Sequence, residues 1–146
     1  MFGPDIEGEI LIARPVGEVF DFVADERNEP LYNPQLTAAE KITAGPVGAG
    51  TQYRATTTTM GRTVSMTIET TGYDRPRLLA SSTRLPVMTI RGTLTFEPVP
   101  AGTRMRWSWR VRPRGLFRLL TPAIAWRGRH QERVIWAGLK RYLETA

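Results

Sequence analysis

Cysteine is absent from this chain, and histidine occurs once, at His130. That excludes a disulfide framework, thiolate chemistry, and zinc or iron centres assembled from Cys and His. Lysine is scarce as well: Lys41 and Lys140 stand alone among twenty basic residues. Part of the arginine excess therefore reads as the mark of a G+C-rich coding genome rather than as selection for phosphate. No apolar run reaches the length that spans a bilayer. The first residues, Met1-Phe2-Gly3-Pro4-Asp5, lack the charged and apolar regions of a secretory signal. The protein is expected to be cytoplasmic, with no membrane span.

What is present begins with charge. The formal net charge is +6, which by itself raises nucleic acid or an anionic membrane as a partner. Its distribution says more than its sum. Residues 1–40 hold nine acids against Arg14 and Arg27, whereas residues 103–146 hold eleven bases against Glu132 and Glu144. At 146 residues the chain is expected to be a single domain, residues 1–146, able to bury about two-thirds of its unfolded surface.

The clearest pattern is Arg104-Met105-Arg106-Trp107-Ser108-Trp109-Arg110-Val111-Arg112. Strict alternation of this kind predicts a half-buried antiparallel strand with Met105, Trp107, Trp109 and Val111 inside and four arginines outside. Ile6–Ile12 predicts a first strand. Pro15 then opens a short helix with Val16, Val19, Phe20 and Val23 on its apolar face, ending near Asp25. Residues 28–34 form a second helical turn or loop, and Leu36–Ile42 a strand. Five more strands are expected near 51–59, 63–73, 77–83, 87–98 and 103–112, punctuated by Gly61, Asp74-Arg75-Pro76, Pro86 and Pro100-Ala101-Gly102. From Leu116 to about Leu143 the pattern turns helical, with an irregularity near Pro122.

Catalytic constellations are sparse. The sequence offers no Ser-His-Asp order, no phosphate-cradling glycine loop, no metal cluster and no cofactor box. On the expected alternation Glu7, Glu9, Glu69 and Glu97 point outward, leaving no inward carboxylate pair for acid–base hydrolysis; only Glu40, whose register stays open, could face in.

Three blocks match this element order. Residues 13–25 followed by Asn28-x-Pro30-x-Tyr32-x-Pro34, then Gly45-Pro46-x-Gly48-x-Gly50-Thr51-x-Tyr53, then Phe96-Glu97-Pro98-Val99-x-Ala101-Gly102-Thr103-Arg104, together resemble the START-like, Bet v 1-like (SRPBCC) superfamily. The branch they resemble most is the polyketide cyclase/dehydrase type. The resemblance implies an α+β helix-grip fold: a seven-stranded curved antiparallel sheet around a long C-terminal helix, with two short helices between strands 1 and 2. It also implies a cavity for a small hydrophobic ligand, aromatic, polyketide-like or lipid, without metal or cofactor. If the protein is an enzyme, the implied activity is cyclisation or dehydration of a reactive carbonyl chain, with an arginine or tyrosine stabilising an enolate.

In such a fold the first and last strands are neighbours, so Glu7 and Glu9 should pair with Arg104, Arg106 and Arg110. That makes the arginine row structural and nucleic acid an unfavoured partner. Trp107, Trp109, Met66, Met88 and Ile90 should face inward, as ordinary core or as the lining of the hollow. A wheel of about 100° per residue places Leu120, Ile124, Val134, Gly138 and Tyr142 on one apolar stripe of the last helix, with Arg127 and Gln131 near its centre and His130 at its edge. Arg127 then either snorkels to the helix edge or binds backbone carbonyls. Alternatively, with Gln131 and with Tyr32, Tyr53 or Thr57, it reads a carboxylate or enolate-like oxygen on a guest. Trp126 and Trp136 fall off the stripe, Trp136 almost opposite it, so the basic C-terminal face is also a candidate partner-binding or homodimer surface.

Overall fold

The computed structural model describes residues 4–59 and 61–145. Among these, seven strands form one antiparallel sheet: β1 (Ile6–Ile12), β2 (Leu36–Lys41), β3 (Gln52–Thr59), β4 (Arg62–Asp74), β5 (Leu78–Arg84), β6 (Met88–Val99) and β7 (Gly102–Pro113). Their spatial order is β1-β7-β6-β5-β4-β3-β2. After β1 come helix α1 (Val16–Ala24) and a 3-10 helix over Glu26–Leu31; after β7 come a 3-10 helix over Gly115–Leu120 and helix α2 (Thr121–Thr145). This is the expected helix-grip architecture.

The short helices have local causes. Pro15 precedes α1 in extended conformation, and Glu18 sits in its first turn, where the helix dipole favours an acid. Asp25 ends α1 and caps the following 3-10 helix, its side chain accepting from the Arg27 backbone N–H at 3.1 Å. The C-terminal helix does not run unbroken from Leu116. It starts at Thr121, with Pro122 in the first turn, where the missing N–H costs nothing.

The register settles the arginine row. Glu9 lies opposite Arg106 and Glu7 opposite Ser108; Arg106 Nε reaches Glu9 at 3.2 Å and Arg104 Nη1 reaches Glu97 at 3.0 Å. Arg110 does not join them. Its cross-strand partner is Arg91 on β6.

Two glycines make room for the two inner indoles. Gly8 faces Trp107 across β1–β7, and Gly92 faces Trp109 across β6–β7. A Cβ on Gly8 would lie 2.7 Å from Trp107 Cε2; one on Gly92 would strike the Ser108 carbonyl oxygen and lie 2.7 Å from Trp109 Cε3. Trp107, 4% exposed, fills core. It belongs to the main cluster with Ile12, Val19, Phe20, Met105, Val111 and Leu139. Leu36, Tyr53, Ala55 and Ile68 form a second cluster with Met66 packed against it.

Helix α2 lies chiefly against β1 and more lightly on β7. Inner-face residues of the central strands, among them Thr57, Val64, Met66, Thr83 and Ile90, consequently stay only partly buried. The concave face is gripped at one side and open at the other.

Candidate functional site

Glycines also fix where α2 lies. A Cβ on Gly128 would strike Ile6 Cδ1, and one on Gly138 would come within 2.5 Å of the Tyr32 carbonyl oxygen. Close approach at both points seats the helix between β1 and the first 3-10 helix. Beside this seat, α2 and the segment Asn33-Pro34-Gln35 bound a cleft of about 750 Å³, within the size range of small-molecule sites.

One wall of the cleft is rigid. Buried Asn33 donates from Nδ2 to Glu29 Oε2 at 2.7 Å and accepts from the Gln35 backbone N–H at 3.1 Å. Thr57 Oγ1 and the Thr58 backbone N–H both donate to the Gln35 carbonyl, at 3.2 and 2.9 Å. The other wall carries Arg127, His130 and Gln131, flanked by Arg129, Arg133 and Ile135. None of the described residues lining the cleft is acidic. Among the described residues Arg127, Arg129 and Arg133 have no carboxylate partner, so the cleft presents uncompensated positive charge to an entering molecule.

The structure brings three of the expected site residues together there: Arg127, His130 and Gln131. Thr57 braces the opposite wall from β3. Tyr32 and Tyr53 are buried; the Tyr53 hydroxyl donates to the Ala24 carbonyl at 3.4 Å, and burial pushes its pKa up to about 12. Trp107, Trp109 and Met88 pack with the main cluster, Met66 with the second, and Ile90 lies on the inner face of β6 opposite Thr83.

The stripe expected on the last helix is overturned. The buried side of α2 is Ala125, Ile135, Trp136, Leu139 and Leu143, joined by Glu132. Arg127 and Val134 are exposed; at about 100° per residue they lie about 140° and about 160° around the helix from Glu132. Trp136, expected to face away from the sheet, is core. Its ring lies 6.1 Å from Trp107 and 5.9 Å from Tyr32.

The expectation of no inward carboxylate pair is overturned with it, and Glu40, whose register the sequence leaves open, points outward to Arg54. Glu132 Oε1 accepts from Trp109 Nε1 at 2.5 Å and from Trp136 Nε1 at 3.2 Å. Burial raises its pKa to about 7; the two indole bonds oppose the rise and the charge of Glu29 adds to it. Facing it from the first 3-10 helix, Glu26 is held well above the usual carboxylate range by burial and by Glu29, Asp25 and Glu132. Its buried Oε2 has no hydrogen-bond partner among the described residues. The grip thus encloses protonatable carboxyls beside three aromatic rings, and the sequence reading missed them. The available signal was Gly128-Glu132-Ile135-Leu139-Leu143, a helical stripe marred by one acid.

The family is now defined. A model of the family described as polyketide cyclase / dehydrase and lipid transport matches residues 4–144, and the chain belongs to it. Among solved structures, the protein TTHA0849 from Thermus thermophilus is similar at 20% identity over 93% of this chain and 94% of that one, with a TM-score of 0.76. Ara h 8.0201 is similar at 15% identity over 97% of both chains, TM-score 0.70. The Zhui aromatase/cyclase from a Streptomyces species is similar at 18% identity over 89% of this chain and 82% of that one, TM-score 0.67. At such identities the likeness is one of fold. No curated protein matches the chain.

Proposed function

We propose that the protein binds an apolar small molecule carrying one acidic or carbonyl end, held in the cleft between α2 and Asn33–Gln35. The observation that carries this reading is Arg127: a guanidinium lining a 750 Å³ cleft, with no acid to answer it among the described residues. An anionic oxygen on the guest supplies the missing partner through a charge-assisted hydrogen bond. His130 and Gln131 add donors beside it, and Trp126, Val134 and Ile135 in the cleft lining offer apolar surface to the remainder of the guest. The family description, with its lipid transport, agrees with an apolar guest.

Two naphthalene dyes test the reading, the anionic 1-anilinonaphthalene-8-sulfonate and the uncharged N-phenyl-1-naphthylamine. The protein should bind the anion more tightly, and Arg127→Met should remove that preference while leaving the neutral dye unaffected. Equal loss of both dyes, or of neither, rejects the role given to Arg127.

A second reading is favoured by Glu132. A carboxyl poised near pH 7 inside the grip suits cyclisation or dehydration of a β-hydroxy ketone chain, and one structural neighbour is named an aromatase/cyclase. Its carboxylate would take the proton from the carbon beside the ketone, and the resulting acid would return that proton to the departing hydroxyl, releasing water and leaving the enone. Loss of water from such a chain, abolished in Glu132→Gln, is the expected result. Turnover unchanged in that variant removes Glu132 from the chemistry.

A further inference from the structure

Among the described residues, the most exposed large apolar side chains cluster at the junction of β7 and α2. Leu116 is 85%, Leu119 81% and Trp126 74% exposed, and Phe117, Leu120 and Val87 stand beside them with more than a third of their surface in water. In a 3-10 helix, residues three apart eclipse one another. Over Gly115–Leu120 this puts Leu116 with Leu119 on one edge, Phe117 with Leu120 on a second, and Arg118 on the third. The element is a wedge with two apolar edges and one cationic edge.

The wedge is held rigidly. Arg114 donates from Nη1 to the Leu85 and Pro86 carbonyls at 2.6 and 3.0 Å and from Nη2 to Thr89 Oγ1 at 3.0 Å, while its backbone N–H donates to the Val87 carbonyl at 2.8 Å. Those bonds tie the turn between β5 and β6 to the wedge. Val87 and the leucines therefore form one preorganised apolar surface.

Along the wedge and the first turns of α2 the charge has one sign: from Gly115 to Gln131 the chain has no acidic residue. Arg118 and Arg129 are exposed and, among the described residues, have no carboxylate partner. We propose that this face docks the protein on an anionic lipid bilayer, the leucines and Trp126 entering the interface and the arginines meeting headgroup phosphates. Protruding Leu, Phe and Trp amid arginines fit a layer that is negative outside and apolar beneath. A second copy of this chain fits poorly, because it would set each arginine against its own kind. Nucleic acid leaves the leucines without a role.

Trp126 and Arg129 also line the cleft, so docking would set its mouth against the bilayer. That consequence, unlike the docking itself, rests on the proposed small-molecule site; Arg127→Met should impair dye binding without releasing the protein from vesicles.

Sedimentation of the full chain with vesicles tests the docking. Vesicles of seven parts phosphatidylcholine to three parts phosphatidylglycerol should bind it at least about tenfold more strongly than phosphatidylcholine alone, with binding weakened by added salt. Leu116→Ser with Leu119→Ser should lower the affinity for anionic vesicles by about tenfold or more, and Arg118→Glu should lower it as well. All these positions are exposed, and an unchanged circular dichroism spectrum confirms the fold of each variant. Failure to bind anionic vesicles overturns the proposal, as does binding that ignores the two leucines. A dimer abolished by the leucine variant, with no vesicle binding, assigns the face to a second copy and overturns it too.

Discussion

Trp109 on β7 donates its indole N–H to Glu132 on α2 at 2.5 Å, linking the last strand to the helix that covers it. Trp136, one helical turn beyond Glu132, donates to the same oxygen at 3.2 Å. Two neutral donors stabilise the carboxylate but do not replace the water that burial removed, so burial dominates and the pKa rises to about 7.

That balance has a sign in stability. Below pH 4.5, the ordinary value for this side chain, folded and unfolded forms both carry the proton and Glu132 costs nothing. Between 4.5 and about 7 the unfolded chain ionises first, so the folded state loses ground as pH rises; above that window the cost is complete and constant. Glu26, shifted in the same direction, adds to the trend. Glu132→Gln keeps an acceptor for the indoles and removes the charge. Urea unfolding should find the variant more stable than the parent by about 2 kcal/mol at pH 8 and little different at pH 4. Greater stability of the parent at pH 8 would mean that the indole bonds outweigh burial.

Gly138 is the second pressure point. In an isolated helix Gly→Ala gains about 1 kcal/mol, but here the added methyl meets the Tyr32 carbonyl oxygen, a backbone atom that cannot rotate aside. Gly138→Ala should therefore destabilise the protein by about 1–3 kcal/mol in denaturant unfolding. A gain in stability would show that α2 can slide away from the 3-10 helix at little cost.

Arg110 and Arg91 face each other across β6 and β7 with no carboxylate partner for either among the described residues. Like charges directly opposite weaken a sheet. Arg110→Glu should raise stability by about 0.5 kcal/mol, an effect that shrinks in high salt; a loss at low salt would refute this account of the pair.

Alternation made the sheet legible in the sequence: the run 104–112 fixed the face of β7, and the Pro and Gly corners separated the other strands. The family resemblance supplied the order. Helix α2 was harder because its buried side contains Glu132 and two glycines, which a search for hydrophobic residues scores as gaps. A competing arc of Leu120, Ile124, Val134 and Tyr142 looked more apolar and drew Arg127 to its centre. What makes the acid tolerable is partners far away in sequence, Trp109 above all, and no local pattern announces them. Asn33 and Glu26 were missed for the same reason, since their importance arises from the approach of α2 to the first 3-10 helix. Arg127, His130 and Gln131 were named on a stripe that proved wrong, and they meet at a cleft because they lie on the side of the helix turned from the core toward Asn33–Gln35.

The role proposed for Arg127 is to serve a ligand rather than the fold. Arg127→Met keeps the length and apolar contact of the side chain and deletes the charge. Paired unfolding and titration with 1-anilinonaphthalene-8-sulfonate should show stability equal to or above the parent's and affinity for the anion lowered about tenfold or more, the loss expected for one charged hydrogen bond. Destabilisation by several kcal/mol with dye affinity untouched would contradict the account and make Arg127 a residue of the fold.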